Sequence, residues 1–149
     1  MKRRTAIQLS AVAATILLAV VAVAYALRGE RLDRSFHESA KTNLMRQGYV
    51  VSEEKYSRHD EGESWKLALR SPAGFRVELF QASRHGFYIS CQPWGSDSYS
   101  DKLEGYVGFK SISSDDFKPL VVDKYQVSAA DEAKMRRTIQ DVWLIVTGR

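Results

Sequence analysis

The chain has 149 residues, of which 44% are hydrophobic and 27% are charged, and this composition excludes both a disordered chain and a polytopic membrane protein. Most of the net charge of +4 belongs to Lys2, Arg3 and Arg4, because the 19 basic residues that follow are nearly balanced by 18 acidic ones, a net charge of +1. Nucleic-acid binding requires a clustered basic field, so no nucleic-acid partner is predicted.

The first element is an apolar run from Thr5 to Leu27, which contains no charged residue over 23 positions. A bilayer core is crossed by about 20 apolar residues in a helix. The basic tip that precedes the run is retained on the cytoplasmic side during insertion. The sequence therefore predicts a signal-anchor or signal peptide over residues 1–27. Residues 28–149 then form a small domain outside the membrane of a bacterial-type envelope.

Cleavage of this segment is the alternative. Ala22-Val23-Ala24 and Ala24-Tyr25-Ala26 both have the small-x-small form that signal peptidase recognises. Cleavage near Ala24 or Ala26 would release a secreted or periplasmic domain. The run is longer than an ordinary signal-peptide core of about 7–15 residues, which favours an uncleaved anchor that holds the protein in the membrane through residues 5–27.

A helix is predicted next, because Leu32, Phe36, Ala40 and Leu44 recur every four residues and Gly48 ends the pattern. Its first turn either begins with Asp33 as N-cap or continues from the apolar run. On this pattern His37 falls on the polar side of the helix.

Short segments with period-two patterning follow, and the clearest are two runs joined by the turn Ser71-Pro72-Ala73-Gly74, which together predict a hairpin. Residues 49–51 open an earlier strand that fades into a charged stretch. Phe87, Ile89 and Cys91 share the core face of a further strand, and another is predicted within 106–109. Residues 120–122 are predicted to form either a short edge strand or a buried loop.

The chain ends in a second predicted helix, with Ser128 as N-cap, Asp131 in a near capping box and Gly148 as the stop. The element order predicts an α+β domain in which a helix, an antiparallel sheet of four to five strands and a C-terminal helix follow one another, with the helices on one face of the sheet.

The most distinctive loop is the segment from Trp94 to Asp101, in which aromatic residues alternate with small and acidic ones. Trp and Tyr supply contact area with few torsions, so Trp94, Asp97, Tyr99 and Asp101 are the predicted partner-contact residues. The other interpretation is a plain linker whose Trp94 packs back on the sheet.

Catalytic and metal chemistry find little support. Residues 59–63, HDEGE, contain ligand types but are typical of a solvated turn, so no metal site is predicted. Cys91 is predicted to be an inert buried thiol, and no nucleophile lies in a recognised catalytic context with His37 or His85. No catalytic residue and no cofactor is predicted.

These observations favour a membrane-anchored extracytoplasmic domain that binds another envelope protein as an accessory, inhibitor or immunity-like factor. The first alternative is a small-ligand-binding domain or hydrolase, in which His59, Glu61 or Tyr99 would line a pocket. The second is a structural subunit of a membrane complex that acts through its span. Mixed charge around Arg28, Arg31 and Arg34 indicates a solvated helix face, with attraction to anionic lipid as the alternative.

Overall fold

The computed structural model describes residues 32–60 and 62–149, together with Leu18. It contains helix α1, a six-stranded sheet and helix α2, so the predicted α+β order of helix, antiparallel sheet and helix is confirmed, with six strands instead of four to five. The bounds are α1 Arg34–Arg46, β1 Val50–His59, β2 Gly62–Arg70, β3 Phe75–Ser83, β4 Gly86–Pro93, β5 Leu103–Gly108, β6 Lys118–Pro119 and α2 Ala129–Thr147.

The predicted span from Thr5 to Leu27 lies outside the described residues, except for Leu18. Within the part of the chain that the structure describes, neither helix combines the length and the apolar composition needed to cross a bilayer.

Helix α1 begins at the first of the two predicted starts. Asp33 is its N-cap, and Oδ1 of Asp33 accepts hydrogen bonds from the backbone N–H of Ser35 at 3.0 Å and of Phe36 at 3.4 Å. The placement of His37 on the polar side of the helix was wrong, because its side chain is fully buried. The buried residues of α1 are His37, Ala40 and Leu44. His37 can be buried because Trp65 and Gln81 of the sheet provide partners for its imidazole.

Strand β1 does not fade after Val51 but continues to His59, because nine residue pairs join it to β2. Its charged side chains fit an edge strand, where one side of the backbone is unpaired. The hairpin of β2 and β3 and its turn are confirmed. The N–H of Gly74 donates to the carbonyl of Ser71 at 3.0 Å, and Gly74 takes a φ of +82°, which favours glycine.

The last strands differ from the prediction in their bounds. Strand β5 begins at Leu103, three residues before the predicted start. The edge strand β6 ends at Pro119, although the N–H of Leu120 still donates to the carbonyl of Lys102 at 2.9 Å. Residues 120–122 are therefore neither a strand nor a buried loop, and Val122 is 72% exposed.

Helix α2 begins with the predicted cap. Oγ of Ser128 accepts from the N–H of Asp131 at 3.1 Å and donates to its carboxylate at 3.0 Å, and Gly148 ends the helix at a φ of +69°. Met135, Ile139 and Val142 of α2 are fully buried in the core between the helices and the sheet. Cys91 is buried in the same core, as predicted.

The helices cover one face of the sheet, and the other face is called the open face below. In β3, for example, Val77 and Leu79 point into the core, whereas Glu78 and Phe80 lie on the open face. The sheet also has two distinct ends. The β1–β2 and β3–β4 turns lie at one end, called the turn end. The β2–β3 turn and the segment 94–102 lie at the opposite end, called the loop end.

Candidate functional site

The structure exposes three of the four predicted partner-contact residues at the loop end. Trp94 is 43% exposed, and the guanidinium of Arg70 lies 5.3 Å from the centroid of its ring. Tyr99 is 69% exposed, and Asp97 is also exposed. Asp101 is half-buried, and its carboxylate accepts a hydrogen bond from Oγ of Ser96 at 2.8 Å. Asp101 therefore holds the loop together, and the other three residues face solvent.

The residues proposed for a small-ligand pocket are not brought together. His59 ends β1 at the turn end, whereas Tyr99 lies in the loop at the opposite end of the sheet. Glu61 lies outside the described residues. Among residues 32–60 and 62–149, no three His, Cys, Asp or Glu side chains are grouped as a metal site requires.

Cys91 is a poor nucleophile in this fold. Its side chain is completely buried, and burial raises the pKa of the thiol to about 12. The thiolate, which is the reactive form, is therefore scarce at neutral pH. His85 is exposed in the β3–β4 turn.

A buried polar cluster links α1 to the sheet around His37. Its imidazole stacks on Trp65 with ring centroids 4.0 Å apart, and its Nε2 lies 2.6 Å from Oε1 of Gln81. Nε2 of Gln81 donates to the carbonyl of Ser83 at 2.9 Å, so the amide oxygen is the group that faces His37. The imidazole Nε2–H is therefore the donor. The neutral ring is the favoured form, because burial disfavours the charged one. Burial lowers the pKa of His37, more than Gln81 and nearby carboxylates raise it.

The same cluster has a charged rim. The carboxylate of Glu54 accepts from Nε1 of Trp65 at 3.2 Å and from Nζ of Lys41 at 2.8 Å. Partial burial raises the pKa of Glu54, but the bonds from Lys41 and Trp65 together lower it by more, so the pKa is lowered overall. These contacts hold α1 against β1 and β2.

The open face carries a row of aromatic side chains that the sequence analysis missed. Phe80, Tyr88 and Tyr106 occupy directly opposed positions on β3, β4 and β5. They are 40%, 44% and 44% exposed, and their ring centroids are 6.5 Å and 5.1 Å apart along the row. We call these three residues the aromatic row. In the sequence, Phe80 follows Arg76 and Glu78 at period two. An apolar residue on the polar side of a predicted strand could therefore have indicated the aromatic row.

Glycine makes room for one end of the row. A Cβ atom on Gly86 would lie 2.7 Å from the hydroxyl oxygen of Tyr106 and 2.2 Å from the carbonyl oxygen of Val107. The ring of Tyr106 therefore lies over Gly86, which requires the absence of a side chain there.

Beside the aromatic row lies a network of charges centred on Glu78. Its carboxylate is 2.7 Å from Arg76, 3.4 Å from Lys66 and 3.5 Å from Lys102. Partial burial raises the pKa of Glu78, but the three cations together lower it by more, so the pKa is lowered overall. Lys66 also contacts Glu53, and Lys102 also contacts Glu104, at 3.3 Å and 3.2 Å.

Two shallow grooves flank Lys66 and Phe80 on this face, and both open to solvent. One has a volume of about 350 Å³ and lies between the aromatic row and the network around Glu78. The other has a volume of about 520 Å³ and extends toward His59 at the turn end. Neither groove encloses a small molecule, and their shape suits a broad contact surface.

Comparisons of the chain with models of known protein families, with curated proteins and with solved structures gave no match.

Proposed function

We propose that this chain is a membrane-anchored extracytoplasmic domain that binds another envelope protein through the open face of its sheet. The observation that carries this proposal is the aromatic row, in which Phe80, Tyr88 and Tyr106 stand side by side and partly exposed on a face that neither of the two described helices covers. Aromatic residues are enriched at the centres of protein interfaces, and contiguous exposed apolar surface is uncommon on a domain that acts alone.

The short connection to the predicted span limits how the domain would be oriented at a membrane. Helix α1 begins at the turn end, since Phe36 contacts Phe87 with ring centroids 6.3 Å apart and His37 contacts Gln81. Leu32 lies five positions after Leu27, with four residues between them, and this length of chain spans at most about 18 Å. If residues 5–27 cross the bilayer, the turn end faces the membrane, and Trp94 and Tyr99 at the loop end face away from it.

The test is affinity capture of the full-length, C-terminally tagged protein from detergent-solubilised membranes, with an intact-mass reading of the same sample. Tyr88→Ala is expected to lose a stoichiometric partner, because truncation of a central aromatic residue costs about 2 kcal/mol or more of binding free energy. Val122→Ala is the control, because Val122 is 72% exposed and belongs to the turn Val122–Lys124, outside the strands of the sheet.

The outcomes separate the two candidate surfaces. Tyr99→Ala probes the predicted loop, so loss of the partner in this variant alone would move the contact from the open face to the loop end. Retention of the partner in Tyr88→Ala would contradict the proposal. The intact mass distinguishes an uncleaved anchor from cleavage near Ala24 or Ala26.

A further inference from the structure

The open face has a charge excess that the composition of the domain conceals. At the described strand positions that alternate onto this face, with Lys102 beside them, six cations stand against three carboxylates, a net charge of +3, whereas the sequence after Leu27 has a net charge of +1. The cations are Lys55, Lys66, Arg70, Arg76, Lys102 and Lys118, and the carboxylates are Glu53, Glu78 and Glu104. The remainder of that sequence is therefore net negative.

Two pairs of cations oppose each other directly across strands. Lys55 of β1 is the register partner of Lys66 of β2, and Arg70 of β2 is the register partner of Arg76 of β3. Like charges at directly opposed positions destabilise a sheet. Lys66 and Arg76 are each ion-paired with Glu78, so Lys55 and Arg70 are the members of the two pairs whose charge is left for a partner.

The carboxylates of the open face are already occupied by the cations around them. Each of the three lies within 3.5 Å of Lys66 or Lys102, and Glu78 is shared by three cations. In contrast, no ion pair among the described residues involves Lys55, Arg70 or Lys118. Positive charge that no carboxylate of the described residues neutralises is thus present on both sides of the aromatic row, and within it the guanidinium of Arg70 contacts only the ring of Trp94 among the ring contacts described above.

We infer that the partner bound by the open face presents an acidic protein surface, whose carboxylates lie against the opposed pairs Lys55–Lys66 and Arg70–Arg76 while its apolar groups contact the aromatic row. This inference rests on the proposed function. The aromatic row lies among these cations, so the partner has to present apolar groups beside its carboxylates, which a phosphate polymer does not. A net charge of +3 is also small for binding by counterion release.

The test uses the full-length protein in neutral detergent micelles and fluorescently labelled poly-L-glutamate as the probe. The double variant Lys55→Gln with Arg70→Gln is expected to raise the probe concentration at half-saturation about tenfold. The reason is that each exposed ion pair contributes up to about a fivefold change in affinity. Lys134→Gln is the control, because Lys134 is an exposed cation on α2. Every variant retains the basic residues near the N-terminus, so any probe that these residues bind contributes equally to the control and to the double variant.

A second readout separates binding from folding. Since Lys55→Gln with Arg70→Gln relieves two like-charge contacts, we expect an unchanged or higher melting temperature together with weaker probe binding. Equal probe binding by the variant and the parent protein would overturn the inference, as would equally tight binding of polyphosphate or phosphatidylglycerol vesicles at the same ionic strength. A partner captured through Tyr88 together with no effect of the two substitutions would refute the acidic surface and leave the proposed function standing.

Discussion

The contact between Gly86 and Tyr106 gives a prediction that links the fold to the aromatic row. In Gly86→Ala, the new Cβ would lie 2.2 Å from the carbonyl oxygen of Val107, about 0.8 Å inside the 3.0 Å limit that Cβ contacts respect. Because that atom belongs to the backbone of β5, a rotamer change cannot relieve the overlap. Overpacking of a fitted site costs about 1–3 kcal/mol, and a backbone obstacle places this variant at the upper end, at about 3 kcal/mol.

The assay is thermal unfolding of the full-length protein followed by circular dichroism. At roughly 3–5 °C per kcal/mol for a domain of this size, the melting temperature of Gly86→Ala is expected to fall by about 10 °C or more. Gly74→Ala is the control, because its Cβ would meet no atom within 4 Å and only the strain at a φ of +82° remains, at about 1 kcal/mol.

A double variant identifies the atom responsible. Tyr106→Ala removes the ring over Gly86 but leaves the carbonyl of Val107 in place, so it is not expected to rescue Gly86→Ala. A melting temperature for Gly86→Ala equal to that of the wild type, or higher than that of Gly74→Ala, would refute the close packing of β4 on β5.

Three further predictions concern the core, the first helix cap and the buried histidine. Leu79→Ala removes a fully buried side chain and should lower the free energy of unfolding by about 2–5 kcal/mol, measured by urea denaturation; a loss below about 1 kcal/mol would contradict its burial. Asp33→Ala removes the α1 cap and should cost about 1 kcal/mol in the same assay, and an unchanged midpoint would contradict the cap. The lowered pKa of His37 means that the unfolded chain binds the proton more readily, so stability present above pH 6.5 is lost as the pH falls below that value. The melting temperature of the wild type should therefore fall as the pH is lowered from about 7.5 to about 5. This fall should be less steep in His37→Leu and as steep as in the wild type in His85→Gln. Equal slopes in all three proteins would contradict the buried neutral imidazole.

Much of the fold could be predicted from local patterns. The caps Asp33 and Ser128, the turn at residues 71–74 and the burial of Cys91 follow from side-chain chemistry and period-two spacing that act over a few residues. The length of β1 could not be read in this way. Its charged residues interrupt the alternation of apolar and polar residues by which a strand is recognised. The strand is held in register by its pairing with β2, which lies farther along the sequence.

The candidate site was harder to predict for the same reason. Phe80, Tyr88 and Tyr106 are widely separated in sequence, and the row forms only when three strands align in register. The opposed pairs Lys55–Lys66 and Arg70–Arg76 likewise exist only across strands. His37 was misplaced because a narrow stripe on one helix does not show which sheet residues lie opposite it.

The most direct test of the central claim is site-specific photo-crosslinking in intact cells, with a photoreactive amino acid at position 88 on the open face or at position 134 on α2. Tyr88 is 44% exposed and the Lys134 side chain is 63% exposed, so both positions are accessible to a neighbouring protein. Binding through the open face predicts one discrete protein adduct from position 88 and none from position 134. The absence of an adduct at position 88, or the same adduct at both positions, would contradict the claim that this face binds an envelope protein.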